Sequence, residues 1–344
     1  MEKVYQNIPS RPEIPFHRDK SDWRAERICE LVDMGLKSVV DLGCSVGTMS
    51  DVFTKHGAEP ILGVDHDKES IALAQSLYPD IDFMVGDISK AMLQNFQYSD
   101  VVVWTSQFMW MVKQYGMEYS LDFLFELSKK CDTLVFETAG RNDGSAPLDM
   151  GQEDILPMLI KNTCFQKITD HGPWNDNWSP RNVFVCENPR LKWESHLSTV
   201  ERIDRKTIRK TYDVNSDRAL EICGREQSFL TTLQGKPNFP KIQKKTSHSI
   251  DMDYAGIPAL WIPDMDRFEI ELSLSGWKIT HRDIQPSNLL WDGQHVILID
   301  FAYAVLPGDV TNYHYDLGGK YKCPHGFNDE YSLRKVQQEL MCPK

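Results

Sequence analysis

A chain of 344 residues with 38 basic against 50 acidic side chains, net −12, is long enough for two domains of ordinary size. The acidic balance argues against a duplex nucleic-acid partner, which needs a clustered basic surface. No stretch of about 18 apolar residues occurs and Met1-Glu2-Lys3-Val4 opens polar, so neither secretion nor a transmembrane segment is expected; eight scattered cysteines without a Cys-x-x-Cys pair read as reduced thiols of a cytoplasmic protein.

From about residue 22, helical and extended segments alternate, the pattern of a parallel sheet with helices on both faces. The spacing of Ile28, Leu31 and Val32 predicts a helix over 23–34, and a second helix is expected over 48–56. Strands are expected at 38–42, 60–64, 81–85, 100–104 and 133–137. Segments 165–170 and 182–186 flank a Gly/Pro/Trp/Asn-rich loop and should form an antiparallel edge. Pro189 should stop strand pairing and Asn188 should favour a turn, which divides the chain into domains 1–188 and 189–344. Beyond that point come short extended segments at 198–203 and 207–212, a helix over 219–233 and a strand near 250–254, the order of a kinase small lobe.

Asp41-Leu42-Gly43-Cys44-Ser45-Val46-Gly47 follows a buried strand and places small residues where the backbone must turn tightly into a helix. Its amide groups and the positive end of the helix dipole are expected to face a polar ligand. Asp65 ends the next strand, where a carboxylate can accept both hydroxyls of a ribose. The order resembles class I S-adenosyl-L-methionine-dependent methyltransferases. That resemblance implies that Asp87, in Gly86-Asp87-Ile88, lies against the adenine amino group and that Ser106 lies beside the cofactor. No Asn-Pro-Pro-Tyr-type motif follows the fourth strand, so an amino group of a nucleic acid is not the indicated acceptor. His66, Gln107, Trp110, Glu137, Arg141, Trp174, Trp178 and Arg181 all fall near strand ends, and Arg181 is the chosen candidate for clamping an anionic acceptor.

At the other end, His281-Arg282-Asp283-x-x-x-x-Asn288 and Ile299-Asp300-Phe301 form a phosphoryl-transfer signature. Asp283 would meet an acceptor hydroxyl, and Asn288 with Asp300 would bind Mg2+ on ATP. The intervening stretch reads as a hairpin with an Asp292-Gly293 turn that returns Asp300 to Asn288. Upstream, Lys210 fits the strand lysine that contacts ATP phosphates, Glu226 its ion-pair partner, and Met252-Asp253-Tyr254 a hinge holding adenine through the main chain. No Gly-x-Gly-x-x-Gly loop precedes Lys210, and Ala302 stands where glycine is usual. Segments 315–321 and 329–333 are read as replacing part of an activation segment.

The two motif sets in this order look like the bacterial bifunctional methyltransferase/kinase family that terminates polymannose O-antigen chains. The likeness covers most of residues 20–305 and includes Leu134-Val135-Phe136-Glu137, Gln152-Glu153-Asp154 and Pro180-Arg181. It implies a Rossmann-like α/β methyltransferase with a seven-stranded, mostly parallel sheet, followed by a small α+β protein-kinase-like domain. It further implies that a glycan terminus, or another small hydroxylated acceptor, is phosphorylated and the new phosphate then methylated. The family's long C-terminal coiled-coil and membrane-directed region has no counterpart in this sequence, and no oligomeric state is indicated. Two other readings stay open at this point: a small-molecule kinase with an independent O-methyltransferase, and a methyltransferase carrying an inactive kinase-like scaffold.

Overall fold

The computed structural model describes residues 3–143, 148–174, 181–236, 238–259, 279–306, 321 and 329–341. Two compact units divide the chain, Met1–Pro189 and Arg190–Lys344.

The first unit begins with two short parallel strands, β1 (Val4–Gln6) and β2 (Phe16–Arg18), and helix α1 (Ser21–Leu31). There follow β3 (Val39–Leu42), α2 (Thr48–Lys55), β4 (Ile61–Asp65), α3 (Lys68–Leu77), β5 (Asp82–Val85), α4 (Lys90–Asn95) and β6 (Ser99–Thr105). Then come α5 (Phe108–Tyr115), α6 (Met117–Ser128), β7 (Cys131–Glu137), α7 (Ile155–Asn162), β8 (Phe165–Pro173) and β9 (Asn182–Pro189). Seven strands make one sheet in the order β5-β4-β3-β6-β7-β9-β8; β5 through β7 run parallel, and β9 is antiparallel to both β7 and β8. The valines of β3 and β6 are buried, as befits strands covered on both faces. Ala25, Ile28, Val52 and Phe53 pack on one side. Trp104, Phe108, Phe123 and Phe136 form an aromatic cluster with ring centroids 5.1–5.7 Å apart.

β9 runs through Asn188 to Pro189, which pairs opposite Phe165, so the expected break at Pro189 is displaced to the residue after it. A proline can close a strand because its missing N–H costs nothing at a final position. Asn188 takes the left-handed conformation, φ 58°.

The second unit contains β10 (Lys192–Glu194), β11 (Ser198–Arg202), β12 (Thr207–Tyr212), α8 (Asp217–Thr232), β13 (Ile242–Lys245) and β14 (Ser249–Asp253). These strands form an antiparallel sheet ordered β10-β11-β12-β14-β13. A second small sheet joins β15 (Ile257–Pro258), β16 (Leu289–Trp291) and β17 (Val296–Leu298), and α9 (Asp329–Met341) completes the described part. Ile222, Phe229, Met252, Leu298 and Phe301 share its core. The β16–β17 hairpin turns at Asp292-Gly293, where Asp292 Oδ1 accepts from the amides of Gln294 and His295, each at 2.8 Å, and Gly293 has φ 98°.

Six described cysteines are free thiols; Cys323 and Cys342 lie outside the described residues. Among the described residues no helix is long and apolar enough to cross a membrane.

Asp41 sits inside the sheet end, sealed from solvent, with its Oδ2 accepting from Ser50 Oγ of α2 at 2.8 Å. Burial pushes its carboxyl up to about 7 from 3.8, aided by the neighbouring Asp65 charge and opposed by the Ser50 bond. Between those values the folded chain holds a proton that the unfolded chain releases, so this group's contribution to stability declines as pH rises from about 4 to about 7. Asp41→Asn should therefore flatten that decline, gaining on the wild type toward neutral pH. Melting temperatures measured across that range check it, and parallel pH profiles would contradict it.

Candidate functional site

In the first unit a cavity of about 870 Å³ opens at the carboxyl ends of the parallel strands. It lies at the switch point of the sheet, where β4 and β5 extend one way from β3 and β6 begins the other. Gly43, Ser45, Asp65, Asp87, Ser106 and Gln107 line it. The β3–α2 turn is left-handed at three positions, with φ 85° at Gly43, 50° at Ser45 and 80° at Gly47. A Cβ on Gly43 would stand 2.4 Å from the Gln107 side chain, and one on Gly47 would stand 2.6 Å from the Phe83 ring. Glycine is therefore required at both positions by backbone conformation and by space.

The turn does not offer a bare cradle of amides, contrary to the sequence expectation. The amides of Gly43 and Cys44 donate to Val64 O, Gly47 N to Cys44 O, Ser45 N to Asp65 Oδ2 at 2.9 Å and Thr48 N to Gln6 Oε1. Asp67 N donates to Asp65 Oδ1, also at 2.9 Å. Two amides thus fix the Asp65 carboxylate on the cavity wall. Asp87 is exposed at the end of β5, also on the wall. Asp41 is not on the wall but behind the turn, bracing α2 through Ser50. Two buried polar atoms of wall residues, Ser45 Oγ and Trp104 Nε1, have no hydrogen-bond partner among the described residues. Their unmet capacity, worth about 1–3 kcal/mol each when left unsatisfied, suits a polar ligand.

His66, Gln107 and Trp110 reach the cavity as expected of strand-end residues, joined by Lys113, Gln114 and Tyr115 of α5. Glu137, Trp174 and Arg181 are brought together in a buried network instead. Glu137 is fully buried; it pairs with Arg24 Nη1 at 3.2 Å and Arg181 Nη1 at 3.0 Å, and accepts from Ser106 Oγ at 3.1 Å and Trp174 Nε1 at 3.4 Å. Arg181 Nε also meets Asp143 Oδ2 at 2.6 Å. Burial pulls the Arg181 pKa down, but the Glu137 and Asp143 carboxylates outweigh it and hold the guanidinium above its ordinary value. A cation already matched by two carboxylates braces the wall, which corrects its assignment as a clamp for an acceptor. Arg141 lies on the surface near Asp149, and Trp178 falls outside the described residues.

The second unit gathers a separate polar cluster. Lys210 of β12 is buried, its Nζ 2.8 Å from Glu226 Oε2 on α8 and 2.9 Å from Asp300 Oδ1. Burial lowers the Lys210 pKa, yet Asp300 and Glu226 outweigh it and raise it well above the usual lysine value. Glu226 also accepts from Tyr212 Oη and from Phe301 N. Asp300 is left-handed, φ 65°, while Phe301 packs against Phe229, Phe239 and His281. Asn288 Nδ2 donates to Asp283 O at 2.8 Å and to Asp283 Oδ2 at 2.9 Å, and no donor to its side-chain Oδ1 is found among the described residues. Ile299 N donates to the main-chain oxygen of Asn288 at 3.0 Å, which ties the residue before Asp300 to Asn288. Burial, then the charge of Asp300, raises the Asp283 pKa. His281 donates Nε2–H to Ile299 O at 3.0 Å and accepts Asp283 N at Nδ1.

Two differences from the sequence reading concern the main chain. The amides of Asp253 and Tyr254 are spent on Lys241 O and Lys206 O, and Met252 lies mid-sheet between Ile208 and Ile242, so none of these amides is left for adenine. The first main-chain groups past the ladder belong to Ala255 and Gly256. Asp329, expected in a substitute activation segment, opens α9 and accepts the amides of His281 at 2.5 Å and Arg282 at 2.9 Å, fixing the loop that carries Asp283. Residues 315–320 lie outside the described residues. Among the described residues no group of three or more His, Cys, Asp or Glu converges as a metal site.

A methyltransferase-domain family model matches residues 39–121. The first unit has the class I methyltransferase fold. No curated protein matches the chain. Solved structures that resemble it include a crystal structure of WbdD, with TM-score 0.47 and 18% identity, covering 100% of this chain and 94% of that one. A structure described as the bifunctional kinase-methyltransferase WbdD matches with TM-score 0.47 and 17% identity over the same shares. The magnesium protoporphyrin IX methyltransferase of Synechocystis PCC 6803 with bound SAM matches 48% of this chain and 79% of its own, with TM-score 0.38 and 18% identity. At these scores the likenesses carry no argument about activity.

Removing one partner from a buried charge network leaves the others uncompensated. Arg181→Ala should lower unfolding free energy by about 3 kcal/mol or more, read by denaturant titration. A loss under about 1 kcal/mol, of the size expected for an exposed pair, with a selective defect in acceptor methylation, would restore Arg181 to the clamp role.

Proposed function

We propose that the chain is a bifunctional transferase: its second unit acts as a small protein-kinase-like domain that phosphorylates a hydroxyl of a glycan terminus or similar small acceptor, and its first unit methylates the resulting phosphate, capping the chain. The observation that carries the reading is Lys210 held between Glu226 and Asp300, in the same unit as the Asp283–Asn288 pair.

ATP and Mg2+, when bound, supply the phosphoryl group and neutralise its charge. Lys210 is suited to hold the phosphates, and Asn288 with Asp300 to hold Mg2+, which takes one or two protein oxygens and otherwise phosphate and water. Asp283 accepts the proton of the acceptor hydroxyl. Burial, which raises its pKa, makes it a stronger base for that task.

S-adenosyl-L-methionine, when bound, supplies the methyl group. Asp65, held by two amides, is suited to accept the ribose hydroxyls, and Asp87 is assigned the adenine amino group; Gly43 and Gly47 keep the turn free of side chains. A phosphomonoester is largely dianionic near neutral pH, so its oxygen needs no strong base before accepting a methyl group. Alignment in the cavity is then the protein's main contribution.

Dual labelling tests the order of events. With γ-phosphate-labelled ATP, methyl-labelled donor and an oligomannoside, the wild type should incorporate methyl label only when ATP is present. Asp283→Asn should cut phosphoryl incorporation by about 10²–10⁴-fold, and methyl label should fall with it. Methyl incorporation that is unchanged without ATP would refute the relay.

A further inference from the structure

One helix face at the methyltransferase cavity carries side chains that the chemistry above does not use. Gln107, just ahead of α5, and Trp110, Met111 and Gln114 within it recur at the three- and four-residue spacing of a single helix face. All four line the cavity, with Lys113 and Tyr115 beside them. The opposite face of α5 is fixed: Phe108 packs in the aromatic cluster with Trp104 and Phe136, and Met109 Sδ accepts from Thr138 Oγ1 at 3.8 Å. Trp110 and Lys113 thus stand on a rigid support, yet both are exposed, the tryptophan by 43%.

A large ring left in water on a helix that buries Phe108 and Met109 is the informative observation. Lys113 Nζ stands 5.1 Å from the centroid of that ring, and no carboxylate among the described residues forms an ion pair with the ammonium. Its surroundings carry the opposite charge. Asp65, Asp67 and Asp87 line the same cavity, His66 is held against Asp65 Oδ1 at 3.2 Å, and Lys113 is the only lysine or arginine among the described lining residues. A dianionic phosphate entering this cavity is repelled by three carboxylates, so the one ammonium decides where it can settle. In the sheet β3 separates β6, which leads into α5, from β4 and β5, so this wall is distinct from the one that carries Asp65 and Asp87.

We propose that Trp110 and Lys113 form the acceptor subsite of this cavity, the indole stacking against the terminal sugar ring and the ammonium holding the phosphate on that sugar. An indole face is electron-rich and suits the apolar C–H face of a sugar, whose hydrogens are partly positive. A lysine ammonium is a compact point charge with three rotatable donors, which suits phosphate oxygens. The two groups are close enough for one sugar phosphate to engage both, which selects for the phosphorylated sugar over either part alone. The proposal rests on the phosphate-methylation reading and deepens it.

Methyl transfer by the full chain from labelled S-adenosyl-L-methionine tests it. The acceptors are the unphosphorylated methyl mannoside and a set bearing one phosphate on each free hydroxyl in turn, with inorganic phosphate as a competitor. The wild type should methylate at least one phosphorylated mannoside and leave the unphosphorylated one untouched. Lys113→Gln removes a charge-assisted bond and should raise the KM for the phosphorylated mannoside by about tenfold or more, with weaker inhibition by phosphate. Lys113→Arg, which keeps the charge, should recover most of that loss. Trp110→Ala should raise the same KM by about three- to tenfold and leave inhibition by phosphate unchanged, a split that a merely structural role would not produce. The KM for S-adenosyl-L-methionine should stay at its wild-type value throughout. Wild-type kinetics toward the phosphorylated mannoside in Lys113→Gln and Trp110→Ala would overturn the proposal. So would a rise confined to the KM for S-adenosyl-L-methionine, which would put the pair at the donor. A wild type that methylates no phosphorylated mannoside would overturn the reading underneath, and the subsite with it. Should Trp110→Ala fail to fold, the exposed Lys113 decides alone.

Discussion

A buried lysine ammonium held between two carboxylates organises the second unit. Lys210 comes from the middle of an antiparallel sheet, Glu226 from the helix packed on it and Asp300 from the segment after the last hairpin. The three are far apart in sequence and meet only if the sheet, α8 and the β16–β17 hairpin all take their observed places. Each charge is expensive to bury alone and tolerable in company, so the cluster favours one arrangement over its neighbours. Glu226 adds Phe301 N to its donors, so the same carboxylate that pairs with Lys210 also sets the backbone beside Asp300. Asp329 does similar work one loop away, taking two successive amides ahead of Asp283.

The first unit obeys the same rule with different residues. Glu137 is wholly buried and surrounded by donors, two of them arginines, and the cavity wall at Ser106 hangs from it. Two arginines meet at one hydroxyl, Ser106 Oγ, which accepts from Arg18 and Arg181 and donates to Glu137. A wall braced in this way presents its remaining donors in fixed directions, which is the preorganisation that binding and alignment both require.

Local chemistry was legible wherever neighbours in sequence decide the outcome. The valine-rich run into Gly43 and Gly47 signals a buried strand and a left-handed turn, and Asp292-Gly293 signals a hairpin, because the requirement and the residue that meets it lie within a few positions. The pairing of Lys210 with Glu226 was readable from the order of strand and helix. Long-range assembly was not readable. Nothing near Arg18, in a three-residue strand, announces Ser106 as its partner 88 positions away, and nothing near Asp329 announces His281, 48 positions away. Arg181 looked available because the sequence does not reveal that Glu137 and Asp143 converge on it. The occupied amides around Met252 and Tyr254 have a related cause: the ladder on both sides of β14 consumes main-chain groups that a motif alone leaves open.

The proposed relay requires one polypeptide to carry two separate nucleotide sites, one in each unit. Calorimetry on intact, folded chain with a non-hydrolysable ATP analogue plus Mg2+, and with S-adenosylhomocysteine, applied singly and then in succession, addresses this directly. Two saturable isotherms, neither displaced by prior filling of the other site, are the predicted result. Folded protein that takes up S-adenosylhomocysteine but no ATP analogue, or in which the two ligands compete, would contradict it.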